Sequence, residues 1–213
     1  MKFLVSLLLG LATGLQGCAQ ANQQEAQIGP RTGGPCEGCE AIYESPVPFG
    51  RLSWRDTLPD YGGSGEKLHL GGTVYKADGR TPAPGVVLYI YHTDQTGVYP
   101  THGNEKGWDK RHGYLRGWIR TNSKGEYAFY TLKPIGYNNG RAPAHIHITV
   151  KEPDVNEYWV DEYLFADDPQ LSKEDRERAS GRGGSGLVQT QRKGDILVAK
   201  RDIILGKNVP GYQ

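Results

Sequence analysis

The stretch VVLYIYHT, residues 86–93, is built almost wholly of β-branched, aliphatic and aromatic side chains, with no glycine or proline inside it. Such a run reads as a strand buried in a sheet. Outward from it, His69–Lys76 alternates in part and ends in the turn signal Ala77-Asp78-Gly79. Gly117–Thr121 leads into Asn122-Ser123-Lys124-Gly125, after which EYAFYTL (126–132) alternates again, so this pair is expected to form a hairpin. Ile146–Lys151, Tyr158–Phe165, Leu187–Thr190 and Ile196–Leu205 complete the expected strands. Short strands punctuated by turns predict an all-β chain, an antiparallel β-sandwich or barrel with few short helices. Ser172–Ala179 is the helical candidate, with Ser172 as its N-cap. Two long turn-rich stretches, Gly97–Gly113 and Ile135–Pro143, interrupt the pattern, and long loops in a compact domain tend to carry function.

Composition agrees with that class. The 213 residues include 30 glycines, 13 prolines and 13 tyrosines but one methionine, which suits a turn-rich β protein better than a helical bundle. Lys plus Arg is 25 against 24 for Asp plus Glu, so there is no electrostatic footprint for nucleic acid. The chain opens Met-Lys, followed by an apolar run from Phe3 to Leu15 and then Leu15-Gln16-Gly17-Cys18. The run is too short for a permanent membrane span and has the form of a secretory signal. Its end resembles a bacterial lipobox, although Gln16 stands where a small residue is usual. The expectation is therefore a signal peptide over 1–17, a lipid on Cys18 as the single membrane contact, and an exported, membrane-anchored lipoprotein. Residues 18–35 are polar and expected to be a flexible tether.

Cys36 and Cys39 form a Cys-x-x-Cys with no second cysteine pair, which argues against half of a zinc site. Glycine and proline precede it rather than a strand, so a redox pair is also disfavoured, and export favours a structural disulfide. Residues 36–65, with Trp54 and a glycine-rich end, are expected to be an arm packed on the sandwich of 66–213.

The sharpest chemical feature is Pro143-Ala144-His145-Ile146-His147, entering a strand. Residues i and i+2 of a strand share a face, so His145 and His147 can converge on one ion. Upstream lie Tyr137, in Lys133-Pro134-Ile135-Gly136-Tyr137, and Tyr99, in Thr96-Gly97-Val98-Tyr99-Pro100. Two phenols and two imidazoles would make a donor set suited to a hard, highly charged ion such as Fe(III). Patterning alone does not single out Tyr99 and Tyr137 among 13 tyrosines.

Tyr99 after His92-Thr93-Asp94, the stretch Thr121–Tyr127, Lys133-Pro134 before Tyr137, and Pro143-Ala144-His145-Ile146-His147, taken in that order, resemble the intradiol ring-cleavage dioxygenases. The resemblance covers roughly residues 66–170, and the Cys36–Tyr43 and Tyr158–Pro169 segments resemble an exported subgroup. It implies that 66–213 is an intradiol-type sandwich with long active-site loops. It also implies a non-haem Fe(III) held by Tyr99, Tyr137, His145 and His147. Its partners would be a small aromatic vicinal diol and O2, and its product a muconate-type diacid. Tyr137 would be the ligand that leaves the iron and helps take up a substrate proton. Ala142 occupies the position at which the family carries an arginine, so the charge-stabilising role passes to Arg141, or alternatively to Arg120. The interval from Tyr137 to His145 is short for the family, so the pocket wall should differ. His102, Trp108, His112 and Tyr114 are weaker candidates to line the pocket, Glu162 is a candidate to face it, and His69 reads as structural. The competing expectations are a non-catalytic binding module, because Gly72–Val87 also resembles transthyretin-like sandwich domains, and a copper or zinc site using His145 and His147 with another histidine.

Overall fold

The computed structural model describes residues 31–140, 142–178 and 181–213. The expected signal peptide, Cys18, most of the tether and Arg141 lie outside the described residues.

In chain order the elements are β1 (Arg55–Thr57), β2 (Lys67–Tyr75), β3 (Val87–Tyr91), α1 (Asp109–His112), β4 (Arg116–Arg120), β5 (Glu126–Leu132) and β6 (His145–Lys151). They continue as β7 (Tyr158–Trp159), β8 (Tyr163–Phe165), α2 (Lys173–Arg178), β9 (Leu187–Val188), β10 (Thr190–Lys193), β11 (Ile196–Lys200) and β12 (Ile203–Ile204). One sheet runs β1-β5-β2-β11-β10 with β12 also on β2; the other runs β4-β3-β6-β8-β9 with β7 also on β6. The inward residues alternate as strand geometry requires. Leu68, Leu70, Tyr127 and Phe129 of the first sheet meet Leu88, Ile90, Ile146, Ile148 and Val150 of the second in one buried core. The fold is the all-β sandwich expected, with few short helices.

The continuous apolar character of 86–93 has a structural cause. Strand β3 is covered on both faces, as such runs usually are. Leu88 and Ile90 face the core, whereas Val87 and Tyr89 pack outward with Trp118 under Ala41 and Ile42. Those two belong to a 3-10 turn, Cys39–Glu44. Trp118 Nε1 donates to the Ile42 carbonyl at 2.9 Å, and burying Ile42 stabilises the arm by roughly 2 kcal/mol. The arm also contributes β1, which pairs in parallel with β5.

Three local expectations are corrected. The segments flanking Asn122–Gly125 are not partners: β4 pairs with β3, whereas β5 pairs with β2 and β1. The turn itself forms, with Asn122 Oδ1 accepting from Lys124 N and Glu126 N. Thr121, however, donates through its hydroxyl to the Ala83 carbonyl and through its amide to the Val86 carbonyl, drawing β4 into the second sheet. The turn is thus a corner between sheets. Tyr158–Phe165 is broken into β7 and β8, because the Asp161 carboxylate is taken by the Gly181 and Arg182 amides. Parallel pairs occur between β2 and β11, β2 and β12, and β8 and β9, beside the antiparallel centre of each sheet. Helix α2 starts as expected, with Ser172 Oγ accepting from Asp175 N at 3.0 Å.

One buried polar contact joins the sheets. Tyr127 of β5 donates its only hydroxyl proton to the Arg201 carbonyl at 2.7 Å, so Tyr163 of β8 must donate to Tyr127 at 2.9 Å. Both rings are fully buried. Tyr127→Phe leaves the Arg201 carbonyl and the Tyr163 hydroxyl without that partner and is expected to cost about 1–3 kcal/mol in urea unfolding. An unchanged unfolding midpoint would contradict this account.

Candidate metal centre

Strand β6 presents His145, His147 and Thr149 on the face opposite Ile146, Ile148 and Val150. Its entry is fixed by Ala144 N, which donates to Asp168 Oδ2 at 2.7 Å. Two loops bring the phenols to the imidazoles. The Asp94 carboxylate folds the first loop back by accepting from the Thr96 amide and hydroxyl, both at 2.7 Å, which carries Tyr99 inward. Thr93 Oγ1 donates to the Ile135 carbonyl at 2.7 Å and sets the start of the second loop. Asn138 N then donates to the Gly97 carbonyl at 3.2 Å, tying the two loops together.

The four side chains named from the sequence therefore meet. Tyr99 Oη lies 2.8 Å from Tyr137 Oη and 2.8 Å from His147 Nε2. His145 Nε2 lies 3.2 Å from Tyr137 Oη and 3.2 Å from His147 Nε2. The outer nitrogens settle the tautomers. His145 Nδ1 is 2.7 Å from the Pro143 carbonyl, and His147 Nδ1 is 2.8 Å from Glu162 Oε1. Both neighbours are acceptors, so each Nδ1 carries a proton and each ring turns its Nε2 inward. Each inward Nε2 can accept from a neighbouring phenol hydroxyl or bond to a cation in its place. Ligand atoms bonded at about 2.0–2.1 Å to one ion would be separated by about 3 Å, matching the spacings here. The set thus fits a single ion with hard oxygen and borderline nitrogen donors.

Burial, reinforced by the hydrogen bond to Tyr137, pushes the Tyr99 hydroxyl far above its ordinary value. Burial and the charge of His147 lower His145. Burial works to raise Glu162, but the hydrogen bond and charge of His147, with His145 beyond, hold it at about 2. Glu162 also lies within 4.8 Å of the two histidines' donor atoms. It engages the outer nitrogen of His147, where it orients the ring. The break between β7 and β8 is what delivers this carboxylate, and a continuous strand over 158–165 would not have foretold it.

The remaining candidates part company. His112 is buried, with Nδ1 2.8 Å from Tyr89 Oη, and its ring stacks on Tyr91 at 3.7 Å. His102 stacks on Tyr114, whose hydroxyl donates to Asp60. Trp108 stacks behind His112, and none of the four lines the cavity at the centre. His69 stacks on Tyr130, as a structural residue would. Arg120 pairs with Val87, at the other end of β3 from Tyr91, the partner of His147, and its guanidinium lies beside Gly85, away from the centre. Tyr91, missed from the sequence, stacks on His147 at 4.4 Å.

A cavity of about 640 Å³ opens onto this constellation. Tyr137, His145, His147 and Glu162 line it, as does the loop Pro35–Cys39, closed by the Cys36–Cys39 disulfide.

Residues 54–201 match the family model Dioxygenase_C, described as a dioxygenase. Catechol 1,2-dioxygenase 2 of Acinetobacter lwoffii is 27% identical over 175 residues, or 68% of this chain. The chain spans 60% of the length of that curated relative. The dioxygenase domain of a dioxygenase–carbohydrate-binding fusion from Streptomyces sp. SirexAA-E superposes with a TM-score of 0.57 at 22% identity, covering 76% of this chain and 94% of that one. Catechol 1,2-dioxygenase from Acinetobacter sp. ADP1 gives 0.55 at 22% identity, covering 73% and 57%. At these identities the structures establish a shared fold.

The junction of the two tyrosine loops is testable. Gly97 has φ 75°, and a β-carbon there would lie 2.5 Å from the Gly136 carbonyl oxygen and 2.6 Å from Asn138 N. Gly97→Ala is expected to destabilise by about 1–3 kcal/mol in thermal or urea unfolding, because both the backbone and the contact oppose it. Wild-type stability in this variant would refute the close approach.

Proposed function

The chain belongs to the intradiol dioxygenase family, and from that membership we propose that it is a non-haem Fe(III) enzyme cleaving an aromatic vicinal diol of the catechol or protocatechuate class. Both atoms of O2 enter a muconate-type diacid. The observation that carries the proposal is the convergence of Tyr99, Tyr137, His145 and His147 with both Nε2 atoms turned inward. Ferric iron, when bound, supplies Lewis acidity toward the diol and activates it for reaction with O2.

The four side chains would hold the ion, and the two phenols would ionise against it, since a nearby multivalent cation would outweigh the burial that otherwise keeps Tyr99 protonated. Glu162 fixes the His147 ring and its tautomer through Nδ1. Of the two phenols, Tyr137 lines the cavity and Tyr99 lies behind it, which supports Tyr137 as the residue that yields to the diol. Its oxygen is placed to accept a proton from the incoming hydroxyl. Arg141 lies outside the described residues. We assign it the stabilisation of developing negative charge because its neighbour Ala142 lines the cavity. Export and a lipid anchor on Cys18 complete the proposal, and the Cys36–Cys39 disulfide suits an oxidising compartment.

Iron-loaded full-length protein is expected to show a broad visible tyrosinate-to-iron band that shifts on adding catechol, with O2 consumed. Tyr99→Phe should weaken and shift the band, Tyr137 supplying what remains, and lower kcat/KM by about a hundredfold or more, as expected when a ligand is removed. Colourless protein of verified iron content, or a band left unchanged in intensity and position by Tyr99→Phe, would overturn the assignment. Glu162→Gln keeps the shape but weakens the acceptor on His147, and is expected to reduce iron affinity by about tenfold. Unaltered affinity would leave Glu162 without a positioning role.

A further inference from the structure

The outward face of β6 does not end at the metal centre. Thr149 continues the row of His145 and His147, and β7 sets Trp159 directly beside it. Thr149 Oγ1 contacts Cys39 Sγ at 3.9 Å, so the disulfide loop stands over the same end of the strip. The strip from His145 to Thr149 is about 13 Å long. Trp159 and the loop both border the cavity above it.

This cavity is larger than one ring requires. About 150 Å³ suffices to enclose benzene, whereas the space here is about 640 Å³. Its two side walls are held in place. Trp159 keeps 39% of its surface exposed, and the Arg182 guanidinium lies 3.6 Å from its ring centroid while donating to the Gly33 carbonyl at 2.7 Å. On the loop, Gly38 sits so close to His112 that a β-carbon would lie 2.8 Å from its Nε2. His112 stacks on Tyr91 and Tyr91 on His147, so the loop's position is registered to the centre through contiguous rings.

We propose that the substrate is a catechol carrying a second planar ring. Its diol occupies the His145, His147 and Tyr137 end, and its second ring lies along β6 between Trp159 and the Cys36–Cys39 loop. Trp159 supplies an aromatic surface for stacking, and the disulfide constrains the loop that borders the same cavity. This inference rests on the dioxygenase reading above.

The test compares catechol with 4-phenylcatechol on the iron-loaded full chain, by kcat/KM in O2 uptake and by Kd from calorimetry without oxygen. The aryl compound is expected to be favoured by about tenfold in both, since stacking and added apolar burial each contribute. Trp159→Ala should bring the ratio close to one, and Trp159→Phe should keep most of it. Cys36→Ser combined with Cys39→Ser should lower it as well. Catechol turnover with equal Kd for the two diols, or a preference indifferent to Trp159→Ala, would overturn this inference alone. Failure of both diols to bind or react would overturn the dioxygenase reading and this inference with it.

Discussion

Two-residue alternation along β6 is the constraint on which the rest depends. The strand buries Ile146, Ile148 and Val150 between the sheets and turns His145, His147 and Thr149 to the opposite face. A slip of one residue would exchange the two sets, sending imidazoles into hydrocarbon and isoleucines into the cavity. The strand is paired with β3 on one side and with β7 and β8 on the other, so the hydrophobic core fixes the register that the metal centre requires. The spacing of the donor atoms is thus inherited from apolar packing.

Around that strand, polar groups that do not join the centre are committed elsewhere. His92 is fully buried close by, with Nδ1 2.7 Å from the Thr93 carbonyl and Nε2 2.8 Å from Thr131 Oγ1. Burial, against the pull of that carbonyl, lowers it to about 4, so at neutral pH it is an uncharged strut between strands. The adjoining Thr93 hydroxyl anchors the Tyr137 loop. The loops that deliver the phenols therefore hang from a polar framework that is already satisfied, which limits the freedom lost when an ion is held.

The sandwich was legible because hydrophobic periodicity and turn chemistry act locally. VVLYIYHT, EYAFYTL and HIHITVK each settle into strands within one or two residues of their expected ends. The His-x-His pair was legible for the same reason, since strand geometry alone places both rings on one face. Tyr99 and Tyr137 were not legible from pattern, because loop tyrosines acquire their positions from contacts such as Asn138 N to Gly97 O that no periodicity encodes. The corner at Asn122–Gly125 has the chemistry of a hairpin turn, and only the distant partners of Thr121 send its strands to different sheets. Glu162 reaches His147 because Asp161 is captured by residues 181 and 182, a contact between segments far apart in sequence.

The first sheet carries a consequence for assembly. Its central strand β2 lies between β5 and β11, and β12 extends the same edge. The register sets Lys67 opposite Ile196 and Val74 opposite Ile203, so strands from opposite ends of the domain are immediate neighbours. Closing so long a chain segment is entropically slow, and the reward arrives only with the last strands. β2 and β5, close in sequence, can meet early, yet the other flank of β2 stays bare until β11 and β12 dock on it. The architecture is one that completes itself late, with the face that carries His145 and His147 assembled on a core whose opposite sheet is closed by β11 and β12.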